Sequence, residues 1–281
     1  MRVHHLNCGT MRPLGGSLLD GRPGWRRRAE LVCHCLLLET DSGLVLVETG
    51  MGTQSSSRPD EWLGRQFRLA CAPTLDGEEA AAVQVERLGH RVSDVRHIVL
   101  THLDLDHAGG LADFPEATVH VYADELSAMQ APRGQAERAR YRVPQFAHEP
   151  KFRPYRTSGE PWFGFEAVRE LDGLGGVALV PLTGHSRGHS GVAVDTGDGW
   201  LLHAGDSYFH RGEVDPLAPH CPPVLRVFET LVQSGRRDRL ANQQRMRELV
   251  GAHGSEVTVF SAHDAVEYRR LAGLSTDRRA I

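Results

Sequence analysis

Four side chains that can bind metal ions fall within one short stretch of the chain. They are His102, Asp104, Asp106 and His107. Neutral imidazole and carboxylate groups are the usual nitrogen and oxygen ligands of zinc and similar ions. A solvated polar loop would also explain them, but Leu103 and Leu105 alternate with the polar residues. This alternation indicates a partly buried segment, where unpaired carboxylates are costly, and it favours a metal site.

The segments around this cluster predict how it is positioned. The apolar run 97–101 predicts a short buried strand that ends where the cluster begins. Ala108, Gly109 and Gly110 follow the cluster, and such small residues allow a tight turn into a helix whose positive end faces the site. Further histidines and aspartates follow predicted strands at 177–182, 199–204 and 256–261. Loops at strand ends are where a rigid sheet commonly presents functional groups.

The rest of the chain alternates strands with helices. Predicted strands cover 32–39, 44–48, 118–122 and 191–195, and predicted helices cover 123–130 and about 223–250. Asp76 and Glu79 have the spacing of a capping box for a helix beginning near Glu78. Residues 131–165 are polar, Arg-rich and aromatic, and we expect a surface excursion there, with room for a helix. Because no linker divides the pattern, we predict one α/β domain over 1–281.

Composition limits the classes of function. The formal net charge is -4, and 40% of the 281 residues are hydrophobic. No basic excess is available to neutralise a nucleic-acid backbone. No apolar run is long enough to cross a bilayer, and the first residues lack the pattern of a secretory signal. We therefore expect a cytoplasmic protein that acts on a small molecule, and leave its oligomeric state open, with a homodimer as one option.

The five cysteines are odd in number and scattered, which does not indicate a disulfide framework. Cys33 and Cys35 flank His34 in an apolar run. A Cys-x-Cys pair can bind metal, but no second pair accompanies it. We favour the interpretation that both are small buried side chains on one face of a strand.

The segment Thr-His-Leu-Asp-Leu-Asp-His-Ala-Gly-Gly at 101–110 resembles the His-x-His-x-Asp-His signature of the metallo-β-lactamase superfamily. Further motifs of that family follow in order. They are the Gly-His loop at 181–189, the strand end at 202–206 and the final Ser-Ala-His-Asp at 261–264. A turn at 45–50, before the signature, is similar to the family's Asp-Thr-Gly turn. The similarity extends from about residue 30 to 265. Four motifs in the family's order make a chance match very improbable.

The resemblance implies an αββα sandwich with two divalent metal ions at one edge, between two sheets. It assigns the first metal to His102 and His185, and the second to Asp106, His107 and His263. Asp206 would bridge both. A hydroxide between the metals would be the nucleophile, because coordination lowers the pKa of water to about 7. Asp106 could also orient this group or shuttle its proton. Zinc is the first expectation for both ions.

Two residues depart from the family pattern. Asp104 stands where the signature has its second histidine. A carboxylate can still ligate, and we predict that it does; the alternative is that it points away and leaves one site weak. As a ligand, its added negative charge should raise the pKa of the bound water. The hard oxygen also shifts preference toward iron or manganese. Glu48 replaces the aspartate of the turn. It either orients ligands through hydrogen bonds or only marks a strand end.

Four other features could act on a substrate, each with a plainer alternative. Tyr208 could donate to a substrate oxygen or oxyanion, or could be a buried aromatic. Arg187 could bind a substrate anion, although a surface arginine is the simpler interpretation. His189 lies on the ligand loop and is more often structural in this family. The aromatic residues of 162–165 could line a pocket or pack in the core.

The function that this pattern favours is hydrolysis of an ester, lactone or thioester by a metal-bound hydroxide. The loop Gly-His-Ser-x-Gly-His at 184–189 is more similar to the lactonase and glyoxalase II branches than to the true β-lactamases, and a lactonase is slightly favoured by analogy. The second hypothesis is a di-iron redox protein of the flavodiiron type, whose glutamate stands at the position of Asp104. The third, a nuclease of the superfamily, is disfavoured by the net charge of -4.

Overall fold

The computed structural model describes residues 1–274. In this part of the chain, twelve strands form two six-stranded sheets. The strands are β1 (Arg2–Met11), β2 (Leu31–Thr40), β3 (Gly43–Val47), β4 (Val95–Val99), β5 (Thr118–Tyr122), β6 (Lys151–Tyr155), β7 (Glu160–Trp162), β8 (Phe165–Glu170), β9 (Val177–Pro181), β10 (Ser190–Asp195), β11 (Trp200–His203) and β12 (Val257–Phe260).

Ten α-helices accompany these strands within 1–274. They are α1 (Ser17–Asp20), α2 (Gln54–Ser57), α3 (Pro59–Trp62), α4 (Arg65–Cys71), α5 (Ala81–Arg87), α6 (Ala123–Gln130), α7 (Gln135–Arg140), α8 (Pro223–Val232), α9 (Arg236–His253) and α10 (Ala265–Leu271). None of these described helices is long and apolar enough to cross a membrane.

The first sheet has the order β1-β2-β3-β4-β5-β6. Its first three strands are antiparallel neighbours, and β3 through β6 pair in parallel. The β2–β3 hairpin turns at Asp41 and Ser42, as their turn chemistry predicts. The second sheet has the order β12-β11-β10-β9-β8-β7, antiparallel except for β11 and β12.

The two sheets pack face to face, and helices cover their outer faces. Leu36, Val45 and Val99 of the first sheet meet Leu179 and Val192 of the second in one buried cluster. On the outer face of the first sheet, side chains of β2 to β5 pack against α5 and α6. On the outer face of the second, side chains of β9 to β12 pack against α9. The predicted αββα sandwich is confirmed.

Local details differ from the sequence prediction at three places. The first follows Gly110, where the expected helix is only a 3₁₀ turn over Leu111–Asp113. Asp76 caps only a short 3₁₀ turn, accepting from the backbone N–H of Glu78, and α5 begins later. The carboxylate of Glu79 does not complete a capping box, because it accepts from the backbone and hydroxyl of Thr10 instead. This tertiary contact with β1 competes successfully with the local one.

The stretch 131–165 was expected to be a surface excursion with room for a helix. It holds α7, and it also supplies β6 and β7. Both strands lie at sheet edges and are largely exposed, which explains their polar composition. The aromatic residues that follow pack on the outer face of the second sheet, where the rings of Trp162 and Trp200 are 5.4 Å apart.

Candidate metal centre

Four loops at strand ends bring the predicted ligand residues together. The loop after β4 carries His102, Asp104, Asp106 and His107; the β9–β10 loop carries His185; and the ends of β11 and β12 lead to Asp206 and His263. All seven side chains lie in one cluster of close contacts. Six of the seven residues are buried, and Asp104 is partly exposed.

The carboxylate of Asp206 stands between two groups of imidazoles. Its Oδ1 lies 3.2 Å from His107 Nε2 and 3.0 Å from His263 Nε2. Its Oδ2 lies 3.4 Å from His185 Nε2 and 3.7 Å from His102 Nε2. One carboxylate therefore reaches both groups with different oxygens, which is the arrangement that a ligand shared by two ions requires.

The first group consists of His102, Asp104 and His185, whose ligand atoms lie within 4.8 Å of one another. Asp104 Oδ2 is 3.1 Å from His185 Nε2 and 3.4 Å from His102 Nε2. Asp104 Oδ1 and His102 Nε2 are both buried without a hydrogen-bond partner among residues 1–274. Buried polar atoms without partners are rare, so these atoms suit a cation.

The second group shows the same need for a cation. The Nδ1 atoms of His107 and His263 are occupied, by Glu48 Oε2 at 2.7 Å and by the carbonyl of Val32 at 2.7 Å. A neutral ring that donates from Nδ1 presents a lone pair at Nε2. These two Nε2 atoms are 3.3 Å apart, and both face Asp206 Oδ1. Three acceptor atoms this close repel one another unless a cation or protons lie between them.

The crowding of these buried side chains shifts the pKa values of His102 and His107. Burial and the neighbouring His107 lower the pKa of His102 to about 3, so its ring stays neutral and able to ligate. Burial also opposes a proton on His107, but Asp206 and Glu48 outweigh burial and raise the pKa of His107. Without a metal, protons would take the place of the cation.

Glu48 has the orienting position that the sequence left open. It lies at the end of β3 with a φ of 63°, an uncommon conformation for a residue other than glycine. One carboxylate oxygen contacts His107, and the other accepts the backbone N–H of Thr101 at 2.6 Å. The residue thus joins a strand end to the loop that carries the ligands.

Arg140 is a member of the site that the sequence did not reveal. It ends α7, and its Nη1 donates to Asp104 Oδ2 at 2.7 Å. Its Nη2 donates to the backbone carbonyls of His185, at 3.1 Å, and of Val232. Burial opposes ionisation of Asp104, but Arg140 and His102 hold the pKa of that carboxyl well below its usual range. Nothing in the composition of 131–165 distinguishes this arginine from its neighbours.

Glu125 is a second residue that the sequence did not single out. It is fully buried in α6 and accepts the backbone N–H of Leu103 at 3.0 Å. It also accepts the hydroxyl of Ser186 at 2.6 Å and the N–H of Gly188 at 3.1 Å. One carboxylate therefore connects the loop of His102 to the loop of His185. An acidic residue early in a helix gives no sequence signal of this role.

His189 and Arg187 both have structural contacts. The His189 ring lies between the carbonyl of Leu182, 2.9 Å from Nδ1, and the N–H of Asp206, 2.9 Å from Nε2. It thereby fixes the backbone that presents Asp206. Arg187 donates to Glu137 of α7, and so connects the His185 loop to the helix that carries Arg140.

Tyr208 does not have the position expected of a donor to substrate. Its side chain is fully buried, and its hydroxyl donates to both oxygens of Glu267, at 3.1 and 3.2 Å. A hydroxyl committed to a buried carboxyl group is not available to an oxyanion, so the structure contradicts the catalytic role predicted for Tyr208. The neighbouring Phe209 is the aromatic residue at the cluster, where its ring stacks on His263 with centroids 5.2 Å apart.

The fold and the cluster together suit a metal-binding protein of a known superfamily, and the comparison with known families agrees. Residues 28–252 match the model of the metallo-β-lactamase superfamily. The chain belongs to this superfamily.

Several relatives and solved structures are similar to the chain. It is 47% identical over 273 residues to probable metallo-hydrolases of Mycobacterium bovis and Mycobacterium tuberculosis, covering 96% of this chain and 82% of each relative. It is 25% identical over 163 residues to an N-acyl homoserine lactonase of Bacillus cereus, 58% of each chain. The crystal structure of B. thuringiensis AiiA with N-decanoyl-L-homoserine bound superposes with a TM-score of 0.71 at 20% identity, covering 95% of each chain.

Proposed function

We propose that this protein hydrolyses a carboxylic ester or lactone with two divalent metal ions. The observation that carries the proposal is the carboxylate of Asp206, which contacts two separate groups of imidazoles with its two oxygens. Zinc suits the imidazole-rich ligand set, and manganese or iron would suit the additional oxygen of Asp104.

The ligand sets follow the two groups. We assign His102, Asp104 and His185 to the first ion, Asp106, His107 and His263 to the second, and Asp206 to both. When bound, such ions supply a water that ionises near neutral pH and a Lewis acid for the substrate carbonyl. The position of Asp104 Oδ2 supports its place in the first set. This oxygen lies 3.1 Å from His185 Nε2 and 3.4 Å from His102 Nε2, and it also accepts from Arg140.

Asp106 is the residue we propose for holding the proton during the reaction. Its carboxylate lies 3.8 Å from His263 Nε2 and 4.0 Å from His107 Nε2, farther than Asp206 lies from either ring. Its side chain is 11% exposed, whereas that of Asp206 is 5% exposed. A carboxylate at the open side of the cluster can orient the reacting water and pass its proton to the leaving oxygen.

Leu105, a partly exposed apolar side chain, lies between Asp104 and Asp106. It packs against a buried apolar cluster that includes Met51 and Trp62, so of these three residues only Leu105 offers apolar contact to an acyl chain. The named lactonases among the relatives, and the N-decanoyl-L-homoserine bound to the structural neighbour, support a lactone as the preferred substrate.

The test is a hydrolysis screen with metal analysis of the same samples. The panel contains N-acyl homoserine lactones, simple esters, thioesters, β-lactams and phosphodiesters. We expect metal-dependent opening of a lactone, lost on chelation and restored by zinc or manganese. Cleavage of phosphodiesters alone would contradict the proposal.

The presence of Asp104 in the first group favours a second candidate function, that of a di-iron redox protein. The carboxylate of Asp104 gives the first group a hard oxygen ligand. Iron in the protein as isolated, together with oxygen consumption in the presence of an electron donor and no hydrolysis of the panel, would support this candidate over the hydrolase.

A further inference from the structure

Cys33 lies beside the second group of ligands. Its Sγ, a carboxylate oxygen of Asp106 and a ring nitrogen of His263 all lie within 4.8 Å of one another. The Cys33 side chain is 3% exposed, and its thiol makes no hydrogen bond to residues 1–274. The sequence pattern favours simple burial of Cys33. Burial alone does not explain why the carboxylate of Asp106 lies so close to its thiol.

The backbone holds Cys33 in register with His263. On one side of Cys33, the N–H of Val32 donates to the carbonyl of His263 at 3.3 Å, and the carbonyl of Val32 faces His263 Nδ1 at 2.7 Å. On the other side, the N–H of His34 donates to the carbonyl of Ala262 at 2.9 Å. Three contacts thus fix β2 against the loop after β12, so the position of the thiol is set by the fold.

A second observation points to a cation beside His263 Nε2. Asp206 Oδ1 is buried without a hydrogen-bond partner among the described residues. It lies 3.0 Å from His263 Nε2, the ring atom whose lone pair faces the cluster. A buried carboxylate oxygen that faces a lone pair requires positive charge between them.

The geometry is close to what one ion needs. Zinc–sulfur bonds are about 2.3 Å and zinc–nitrogen bonds about 2.0–2.1 Å, so two ligand atoms on one tetrahedral zinc lie about 3.6 Å apart. Atoms within 4.8 Å of one another would need to approach by up to about 1 Å to share an ion.

We propose that Cys33 is a thiolate ligand of the second metal ion, beside Asp106, His107 and His263. This inference rests on the two-metal site of the proposed function. Binding breaks the S–H bond, forms a metal–sulfur bond and releases the proton to solvent.

A sulfur ligand would make the two sites chemically different. The first set contains the hard oxygen of Asp104, which suits manganese or iron as well as zinc. The second would contain a soft thiolate, which selects zinc over manganese. We therefore expect the second site to retain zinc when manganese is supplied in excess.

The test uses cobalt as a spectroscopic probe of the full chain. Apo protein is titrated with Co²⁺, bound cobalt is counted, and the near-ultraviolet sulfur-to-cobalt charge-transfer band is recorded. We expect the wild type to develop this band by the second equivalent and Cys33→Ser to lack it. Cys33→Ser should also bind its second ion at least about 10-fold more weakly, because loss of a direct ligand costs at least as much as loss of an outer-shell partner.

Two control variants isolate the role of Cys33. Cys35→Ser changes a fully buried thiol two residues along the same strand. Cys221→Ser changes the thiol that lies within 4.8 Å of Glu213 and Glu229, the other described cysteine in a potential ligand group. Both variants should retain the charge-transfer band. Zinc X-ray absorption of the wild type should show a sulfur neighbour at about 2.3 Å and does not depend on any variant folding.

The outcomes separate this inference from the proposed function. Two bound ions with lactone hydrolysis, but no charge-transfer band and no sulfur neighbour, would overturn the role of Cys33 and leave the hydrolase intact. An undiminished band in Cys33→Ser, or its loss in Cys221→Ser, would also overturn it. Failure to bind two ions at all would overturn both.

Discussion

Asp104 and Arg140 form one charged unit at the first group of ligands. With Asp104 in place of the usual histidine, three aspartates would surround the two proposed divalent ions. The guanidinium of Arg140, 2.7 Å from Asp104 Oδ2, returns one positive charge to the cluster. The sequence predicted that the additional carboxylate would make the bound water less acidic. The structure supplies a compensating charge, so we now expect only a small shift in that acidity.

Replacement of Arg140 by methionine tests this compensation. Loss of the cation should move the pH of half-maximal hydrolysis upward by about one unit, equivalent to about 1.4 kcal/mol. The measurement is a pH–rate profile at saturating zinc. Arg140→Lys should recover part of the shift, and Arg138→Met, an exposed arginine on the same helix, should leave the profile unchanged. Identical profiles for Arg140→Met and the wild type would show that Arg140 only holds the loop of His185 in position.

At the scale of elements, α6 holds the ligand loops in position. Glu125 accepts hydrogen bonds from Leu103 and Gly188, which belong to two different loops. The loop at Gly188 approaches the helix so closely that a Cβ atom there would lie 2.0 Å from the backbone nitrogen of Glu125. This contact explains why position 188, three residues after His185, is a glycine.

Gly188→Ala should therefore separate the loop from α6. We expect a loss of stability of about 1–3 kcal/mol, typical of overpacking, and weaker binding of the first metal ion. Thermal melting and metal titration measure the two effects. Gly175→Ala is the matched control, because a Cβ there meets nothing within 4 Å. Equal melting temperatures for the two variants would contradict this account of the loop.

The sequence predicted elements better than it predicted the contacts between them. The strand at 118–122 and the helix at 123–130 agree with the structure to the residue, because their local patterns are strong. The candidate ligand residues that the fold brings together are identifiable in the sequence because their motifs are local. Arg140 and Glu125 are not, since each acts through contacts with residues distant in sequence. The prediction that Tyr208 donates to substrate is wrong for the same reason. Its hydrogen-bond partner, Glu267, lies 59 residues away in the sequence.

At the scale of the whole molecule, a buried carboxyl links pH to stability. Glu267 of α10 accepts from Tyr208 and from the N–H of Ser261, near the end of β12. Burial and the neighbouring Asp264 raise the pKa of Glu267 to about 8, from an ordinary value of 4.5. The folded protein therefore binds a proton that the unfolded chain loses between these two values.

The sign of the effect follows from this proton. The stabilisation is fully present below pH 4.5 and is lost as the pH rises through 8. In this window the free energy of unfolding should fall by up to about 1.4 kcal/mol per pH unit on account of this group. Glu267→Gln, which is neutral at every pH, should flatten the decline. Denaturant unfolding of both proteins across this pH range, at equal metal content, measures the decline in the free energy of unfolding. Parallel pH profiles for the two proteins would show that Glu267 is not its cause.

We propose that Asp206 joins two metal ions into one hydrolytic centre. The most direct measurement is the rate of lactone hydrolysis as apo protein is titrated with zinc, beside a count of bound metal. We predict that activity in the wild type rises until two ions are bound per chain. We also predict that Asp206→Ala binds fewer ions and loses at least about a hundredfold in rate, since losing a shared ligand exceeds the 10- to 100-fold effect of an outer-shell partner. Full activity at one ion per chain, or in Asp206→Ala, would contradict the account.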